Sequence, residues 1–344
     1  MIEIDGSHGE GGGQILRTAL ALSCLYRKPF RIVNIRRNRK KPGLQPQHLT
    51  GVRAAQAISG AKVTGDNTGS MELAFSPGEV KAGEYLFDVG TAGSTLLVLQ
   101  TLLPPLFLAE SESRITLIGG THVPFSPSYH YVSDVFAPAL AKLGLEVRLS
   151  IDSCGFYPRG GGKIHAEIQP AGKLLPLRIP ERGRLREITG FSAVGRLPGS
   201  IAERQRKAAA ETIRSGIGGP APGARIELLD VPTPGRGTFL FLRAESENSV
   251  AGFTALGAIG KRAETVGEEA ARYFLEYYST DAALDPNLPD QIIPYLSRSA
   301  ERSVFTTSRI TQHLLTNLWV TGLFQTFTHR IEGTTGEPGR VTIN

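Results

Sequence analysis

The stretch Gly6–Ser23, GSHGEGGGQILRTALALS, runs from a glycine-rich turn straight into an apolar, helix-forming segment. Bare backbone ahead of a helix start is how a chain brings N–H groups up to a phosphate. The spacing is neither the GxxxxGK[ST] of a P-loop nor a convincing GxGxxG dinucleotide fingerprint. Gln14 and Arg17 stand one turn apart where a P-loop lysine would be sought, and they share a helix face beside the loop. Glu10 is the only acid in the glycine run. A carboxylate there repels phosphate unless a divalent cation bridges the two, or else it merely complements the helix dipole. Far along the chain, SRITQHLLTNLW places His313 where a β segment meets a helix start. The helix field disfavours imidazolium, which leaves a neutral, nucleophilic ring near an anion site or a structural capping histidine.

Three further stretches carry polar or stacking side chains. Arg36, Arg39, Gln47 and His48 flank KKPGLQPQH, where Pro42-Gly43 marks a turn and arginine suits bidentate phosphate contact. GGTHVPFSPSYHY holds Phe125, Tyr129 and Tyr131 on a Gly/Pro-rich loop, either an apolar slot for a base or ordinary loop packing. DPNLPDQIIPYL sets Asp290 and Gln291 at a helix start, suited to capping or to nucleotide contact.

These residues need elements to position them. GEGGGQILRTALALS is echoed by GTAGSTLLVLQTLL at Gly90–Leu103, and each is followed by alternating strand and helix patterns. Duplicated βαβαββ units are the expectation. A third copy is partly recognisable in PDQIIPYLSRS, SVFTTSRI, QHLLTNLWVTGLF and a terminal β segment. Between the second and third copies lies a different α+β stretch, with a Gly/Pro-rich turn GIGGPAPGA. The expected fold is therefore α/β (α+β), with three βαβαββ units forming a large domain, residues 1–182 and 280–344. A smaller α+β domain, residues 183–279, is inserted.

The chain has 344 residues and a net charge of +6, with ordinary globular composition. Between Gly11 and Gly65 there are many Arg and Lys residues and no Asp or Glu. Either this is a solvated basic face or it meets a polyanion, nucleic acid or nucleotide fitting best. Two cysteines exclude a disulfide framework. With no signal-peptide pattern and no apolar run long enough to cross a bilayer, a cytoplasmic enzyme or binding protein is expected.

Taken together, DGSHGEGGGQILRTALALS, RRNRKKPGLQPQHL, GTAGSTLLVLQTLLP, GGTHVPFSPSYHY, GFYPRGGG, PDQIIPYL and QHLLTN resemble, in order, the signatures of the RNA 3′-terminal phosphate cyclase family. The resemblance covers the chain from end to end. It implies a ligase of RNA 3′-phosphate ends that uses ATP as substrate with Mg²⁺ or Mn²⁺. His313 would form a covalent histidine–AMP adduct. AMP would pass to the RNA 3′-phosphate, and the vicinal 2′-OH would then close a 2′,3′-cyclic phosphate. Residue by residue, Glu10 matches the metal-binding glutamate, and Arg17, Arg36, Arg39, Gln47 and His48 match the phosphate and RNA-end residues. Gln100 matches a nucleotide-binding glutamine, and Pro127 and Tyr131 match the adenine sandwich. Asn287, Leu288, Pro289, Asp290 and Gln291 match the segment beside the nucleotide. The family commonly carries aspartates where this chain has His122 and His130. Two other classes share parts of the pattern. A non-catalytic cyclase-like RNA-binding protein of ribosome assembly would lack the His313, Glu10 and arginine set. An enolpyruvyl transferase-like enzyme would lack the insertion and the HLLTN segment.

Overall fold

A computed structural model describes residues 1–217 and 222–344. In the first unit β1 (Ile2–Asp5) and β2 (Phe30–Val33) run parallel, joined by α1 (Gly13–Tyr26). Parallel strands need such a crossover helix, and it packs back on the sheet. α2 (Pro46–Ser59) then leads to β3 (Lys62–Thr64) and β4 (Leu73–Ser76), and the sheet order is β1-β2-β4-β3.

The second unit repeats this with β5 (Glu84–Asp88), α3 (Thr95–Leu106) and β6 (Ser113–Gly119). Its second helical stretch is α4 (Tyr129–Tyr131), a π turn at Val132–Phe136, and α5 (Ala137–Lys142). β7 (Val147–Ser153) and β8 (Gly162–Ile168) complete the order β5-β6-β8-β7.

The third unit opens on β9 (Arg178–Ile179), and the chain then leaves for a separate sheet. That segment runs β10 (Leu185–Gly195), α6 (Gly199–Gly216), β11 (Ala224–Asp230), β12 (Gly237–Ser246), β13 (Val250–Leu256) and α7 (Ala263–Tyr278). Its order is β11-β10-β12-β13, and its two helices cover a core of Ile213, Leu242, Phe253 and Phe274. The chain returns through α8 (Leu288–Leu296), β14 (Ser303–Thr307), α9 (Gln312–Phe324), β15 (His329–Glu332) and β16 (Gly339–Ile343). The order β9-β14-β16-β15 places every strand as in the first two units. The insertion thus falls between the first strand and first helix of the third repeat.

Four strands, β4, β5, β9 and β13, were not singled out in the sequence. β9 pairs through only Arg178 and Ile179, too few residues for a periodic signal. β13, VAGFTAL, is rich in small residues of poor strand propensity. Gly252 is needed there because a Cβ would lie 2.7 Å from Val135 and 3.0 Å from Tyr131 of the second unit. The turn GIGGPAPGA falls partly outside the described residues.

The first helices of the three units, α1, α3 and α8, meet with α9 at the centre of the molecule. One core joins the second and third units and reaches Phe239 and Phe241 of β12. The first unit has its own core, into which α9 inserts Val320 and Phe324. No described helix is long and apolar enough to cross a membrane.

Candidate active site

The glycine loop between β1 and α1 is shaped by left-handed backbone at Gly9 (φ 56°) and Gly11 (φ 57°). It lies against α9, since a Cβ on Gly9 would sit 2.7 Å from Thr316 Oγ1. Gly12 is the N-cap of α1 and offers no side-chain cap, and the first turn contains no acid. The helix therefore starts with N–H groups that no capping side chain takes, at an end where the helix dipole favours negative charge.

His313 enters this loop from α9. Thr311 caps that helix, its Oγ1 accepting from Leu314 N at 3.1 Å, so His313 sits in the first turn. Gln14 sets its tautomer. The Gln14 amide nitrogen donates to Asp290 Oδ2 (3.0 Å) and to the His313 carbonyl (3.2 Å), which leaves Oε1 facing the ring. His313 Nδ1 lies 2.6 Å from that oxygen and must carry the proton it donates. Nε2 is then the ring's basic atom. It lies 3.0 Å from Glu10 Oε2, and the side chain is 48% exposed. Burial of the ring, with Arg17 and Arg39 nearby, lowers the His313 pKa, and Glu10 opposes the shift. Arg39 Nη2 donates to the Glu10 carbonyl at 3.2 Å and lies 3.6 Å from its carboxylate.

Beneath this surface lies a small cavity lined by Gln14, Arg17, Gln100, Asp290, Gln291 and Asn317. Its volume is about 50 Å³, room for a water or two and not for a nucleotide. Burial pushes Asp290 up to about 7 against the pull of Arg17, and pushes Arg17 down to about 10 against the pull of Asp290. Asn317 Nδ2 donates to the Asp290 carbonyl at 2.7 Å, and Thr18 Oγ1 donates to Asn317 Oδ1 at 2.7 Å. The Gln100 amide donates to Gln291 Oε1, whose own amide donates to the Asn287 carbonyl at 2.6 Å.

His48 closes a capping box at the start of α2. Its Nδ1 accepts from Gln45 N at 3.1 Å, so Nε2 carries the proton of the neutral ring. That nitrogen faces the glycine loop, for a Cβ on Gly13 would lie 2.3 Å from it. Burial, then Arg17 and Arg36, pull the His48 pKa down to about 3. His48 is therefore a neutral donor aimed at the first glycine loop.

Other expected site residues stand elsewhere. Arg36 folds back on its own loop, Nη1 donating to the carbonyls of Lys41 (2.6 Å) and Gly43 (3.0 Å). Gln47 Oε1 accepts from Ser94 N at 2.8 Å and so serves the second glycine loop. Tyr131, expected as one face of an adenine sandwich, is buried in the core, and its hydroxyl donates to Asp285 (2.9 and 3.1 Å). In this structure it offers no open ring face, whereas Pro127 is partly exposed. Leu288 and Pro289 also point into the core, because the apolar side of α8 must be covered, and Asn287 is exposed. Buried His122 and half-buried His130 form a pair, Nε2 to Nδ1 at 3.0 Å, with the His122 ring stacked on Phe239. Burial lowers both pKa values, that of His130 to about 4, so the pair adds no charge to its loop.

Sequence reading gave no site role to Asn317, Thr18 or Asp285. Asn317 follows His313 by four residues, one helical turn, and that spacing was the available signal. Asp285 is fully buried, accepts from the N–H groups of Asn287 (2.8 Å) and Leu288 (3.2 Å), and so holds the start of α8. Its signal was an Asp just ahead of a helix, in DPN. Burial pushes its pKa up to about 6. Among the described residues no three His, Cys, Asp or Glu side chains gather as a metal cage. Glu10 stands as a single accessible carboxylate.

Three βαβαββ repeats of α/β architecture thus gather around an uncapped helix start, with a histidine, a carboxylate and arginines beside it. The family model described as RNA 3′-terminal phosphate cyclase matches residues 8–331. A protein of that name from Caldivirga maquilingensis is 47% identical over 329 residues, covering 94% of this chain and 92% of its own. One from Staphylothermus marinus is 43% identical over 351 residues, covering 100% and 98%. Another from Nostoc punctiforme is 42% identical over 324 residues, covering 92% of each. The chain belongs to the RNA 3′-terminal phosphate cyclase family.

Proposed function

We propose that this protein converts an RNA 3′-terminal phosphate to a 2′,3′-cyclic phosphate at the expense of ATP, through a histidine–AMP adduct. The observation that carries this reading is the state of His313. Its Nδ1 proton is held by Gln14, and its accessible Nε2 faces the glycine loop. In the first step the Nε2 lone pair attacks the α-phosphorus, forming a P–N bond as the bond to pyrophosphate breaks. An oxygen of the RNA 3′-phosphate then attacks the adenylyl phosphorus, the P–N bond breaks, and RNA(3′)pp(5′)A forms. Finally the 2′-oxygen attacks the 3′-phosphorus, its proton passes to water, and AMP leaves. The last step is intramolecular and gains from proximity.

Each residue has a physical task. The N–H groups at Gly12 and Gly13, His48 Nε2–H and Arg17 are donors for phosphoryl oxygens on which charge develops. Arg39 is exposed enough to reach the RNA phosphate. Nε2 is free to attack only after Glu10 releases it. A single accessible carboxylate suits Mg²⁺ or Mn²⁺, which take one or two carboxylates with substrate phosphates and waters. Such an ion, held by Glu10, would supply charge neutralisation at the phosphates. Drawing Glu10 toward it would leave the neutral His313 that lowered basicity favours.

The test is incubation with α-labelled ATP and Mg²⁺, followed by gel separation. Wild type should carry an acid-labile, base-stable AMP label, and His313→Ala should carry none. Normal labelling of that variant would overturn the nucleophile assignment.

A further inference from the structure

The motif GFYPRGGG, Gly155–Gly162, has no part in the chemistry above, although it is anchored unusually firmly. Phe156 is buried against Gly237, where a Cβ would lie 2.0 Å from its ring. Gly160 (φ 67°) presses on the second glycine loop, where a Cβ would meet Thr91 O at 2.6 Å and Ala92 at 2.8 Å. The anchored turn nevertheless holds two side chains outward. Tyr157 is 70% exposed and Arg159 is exposed.

Two loops of the inserted segment meet this turn. A Cβ on Gly235 would lie 3.1 Å from Arg159 Cβ, and one on Gly195 would lie 2.4 Å from Thr233 and 3.3 Å from Phe156. Arg236 and Arg196 are the next residues along those loops, and both are exposed. Arg196 holds a left-handed backbone (φ 54°), a conformation with a cost for a residue with a Cβ. Among the described residues none of Arg159, Arg196 and Arg236 has a carboxylate within salt-bridge distance. Three unpaired guanidinium groups and one aromatic ring thus share a seam between the second repeat and the insertion.

The seam connects to the anion site through direct contacts. His48 faces the first glycine loop, and its neighbour Gln47 bonds Ser94 N and touches Gly93, where a Cβ would lie 2.8 Å away. Ala92, next in line, carries Gly160. Gln47, Gly93 and Ala92 thus join the first glycine loop to the seam by successive contacts.

We propose that the seam binds the single-stranded RNA upstream of the terminal nucleotide, Tyr157 stacking on a base and Arg159, Arg196 and Arg236 contacting phosphates. This rests on the reading that RNA 3′-phosphate ends are the substrate. A positive track with an aromatic platform is the chemistry that holds single strands without sequence preference. Protein or membrane partners would not require this continuity with the anion site.

The experiment compares a fluorescent decaribonucleotide 3′-phosphate with a dinucleotide 3′-phosphate, on the full chain, by anisotropy and competition. Tyr157→Ala should weaken binding of the long RNA about ten-fold, as expected for loss of one stacked base. Tyr157→Phe should restore it. Binding of the dinucleotide should change by less than about two-fold, since it ends short of the seam. Arg159→Ala and Arg236→Ala should each flatten the plot of log affinity against log salt by about 0.7. Equal losses on both RNAs, no loss on the long one, or a wild type that binds the two alike would overturn the proposal. Length-dependent binding without cyclisation would instead overturn the reaction and leave the seam standing.

Discussion

The two glycine loops occupy the same place in two copies of one fold, and they are finished differently. After β5, the second loop leads into α3 with its N–H groups taken. Gly90 N donates to Asp88 (2.7 Å), Ser94 N to Gln47 (2.8 Å), Thr95 N to the Gly120 carbonyl (2.8 Å) and Leu97 N to Ser94 Oγ (3.3 Å). After β1, the first loop leads into α1 through Gly12, with no side-chain cap. Around that start stand Glu10, Gln14, Arg17, His48 and His313. One repeat leaves its helix start without a side-chain cap, and the other satisfies it internally, as a buried helix end must be.

The largest test of this comparison removes the acid that the second loop lacks. Glu10→Ala should lower the rate of self-adenylylation by two to three orders of magnitude, about the effect of losing one charge-stabilising group. Retained labelling at saturating Mg²⁺ and ATP would show that Glu10 only complements the helix. Gly12→Ser would give the first loop the cap that Ser94 gives the second. Its backbone is extended there, and a Cβ would meet only the mobile end of Arg39 at 3.1 Å. Unfolding in urea should shift up by a few tenths of a kcal/mol, while the KM for ATP rises about ten-fold as the new hydroxyl takes an N–H from the phosphates. An unchanged KM would mean that α1's start is not where phosphate binds. The smallest effect concerns the second loop. Gln47→Ala should cost about 1 kcal/mol of stability by freeing Ser94 N, read from the urea midpoint. A full-strength fold with lost RNA cyclisation would return Gln47 to the RNA-end set.

Much of the architecture was legible because repeats and caps are local signals. The two glycine turns, the alternation of strand and helix, and the bounds of α9 all follow from residues close in sequence. β9 and β13 were not legible, because one is two residues long and the other is built of small residues whose strand state depends on the partner they pack against. The site divides in the same way. Glu10, Arg17, Arg39, His48 and His313 do converge on the first loop. Tyr131, Leu288 and Pro289 do not face it, since an apolar residue on a loop or helix start reads alike whether it lines a slot or fills a core.

The amino-acid sequence by itself determined the repeated fold, the family, the bare helix start at Gly12 and the place of His313 in the first turn of α9. Each depends on propensity, turn chemistry or spacing within a few residues. Only the tertiary structure decided that Gln14 holds the His313 Nδ1 proton, that Glu10 meets Nε2, and that Gln47 fills the second loop. Those contacts join different repeats. They exist because the first helices of all three units pack together with α9, and that packing sums many weak contacts that no short stretch of chain encodes.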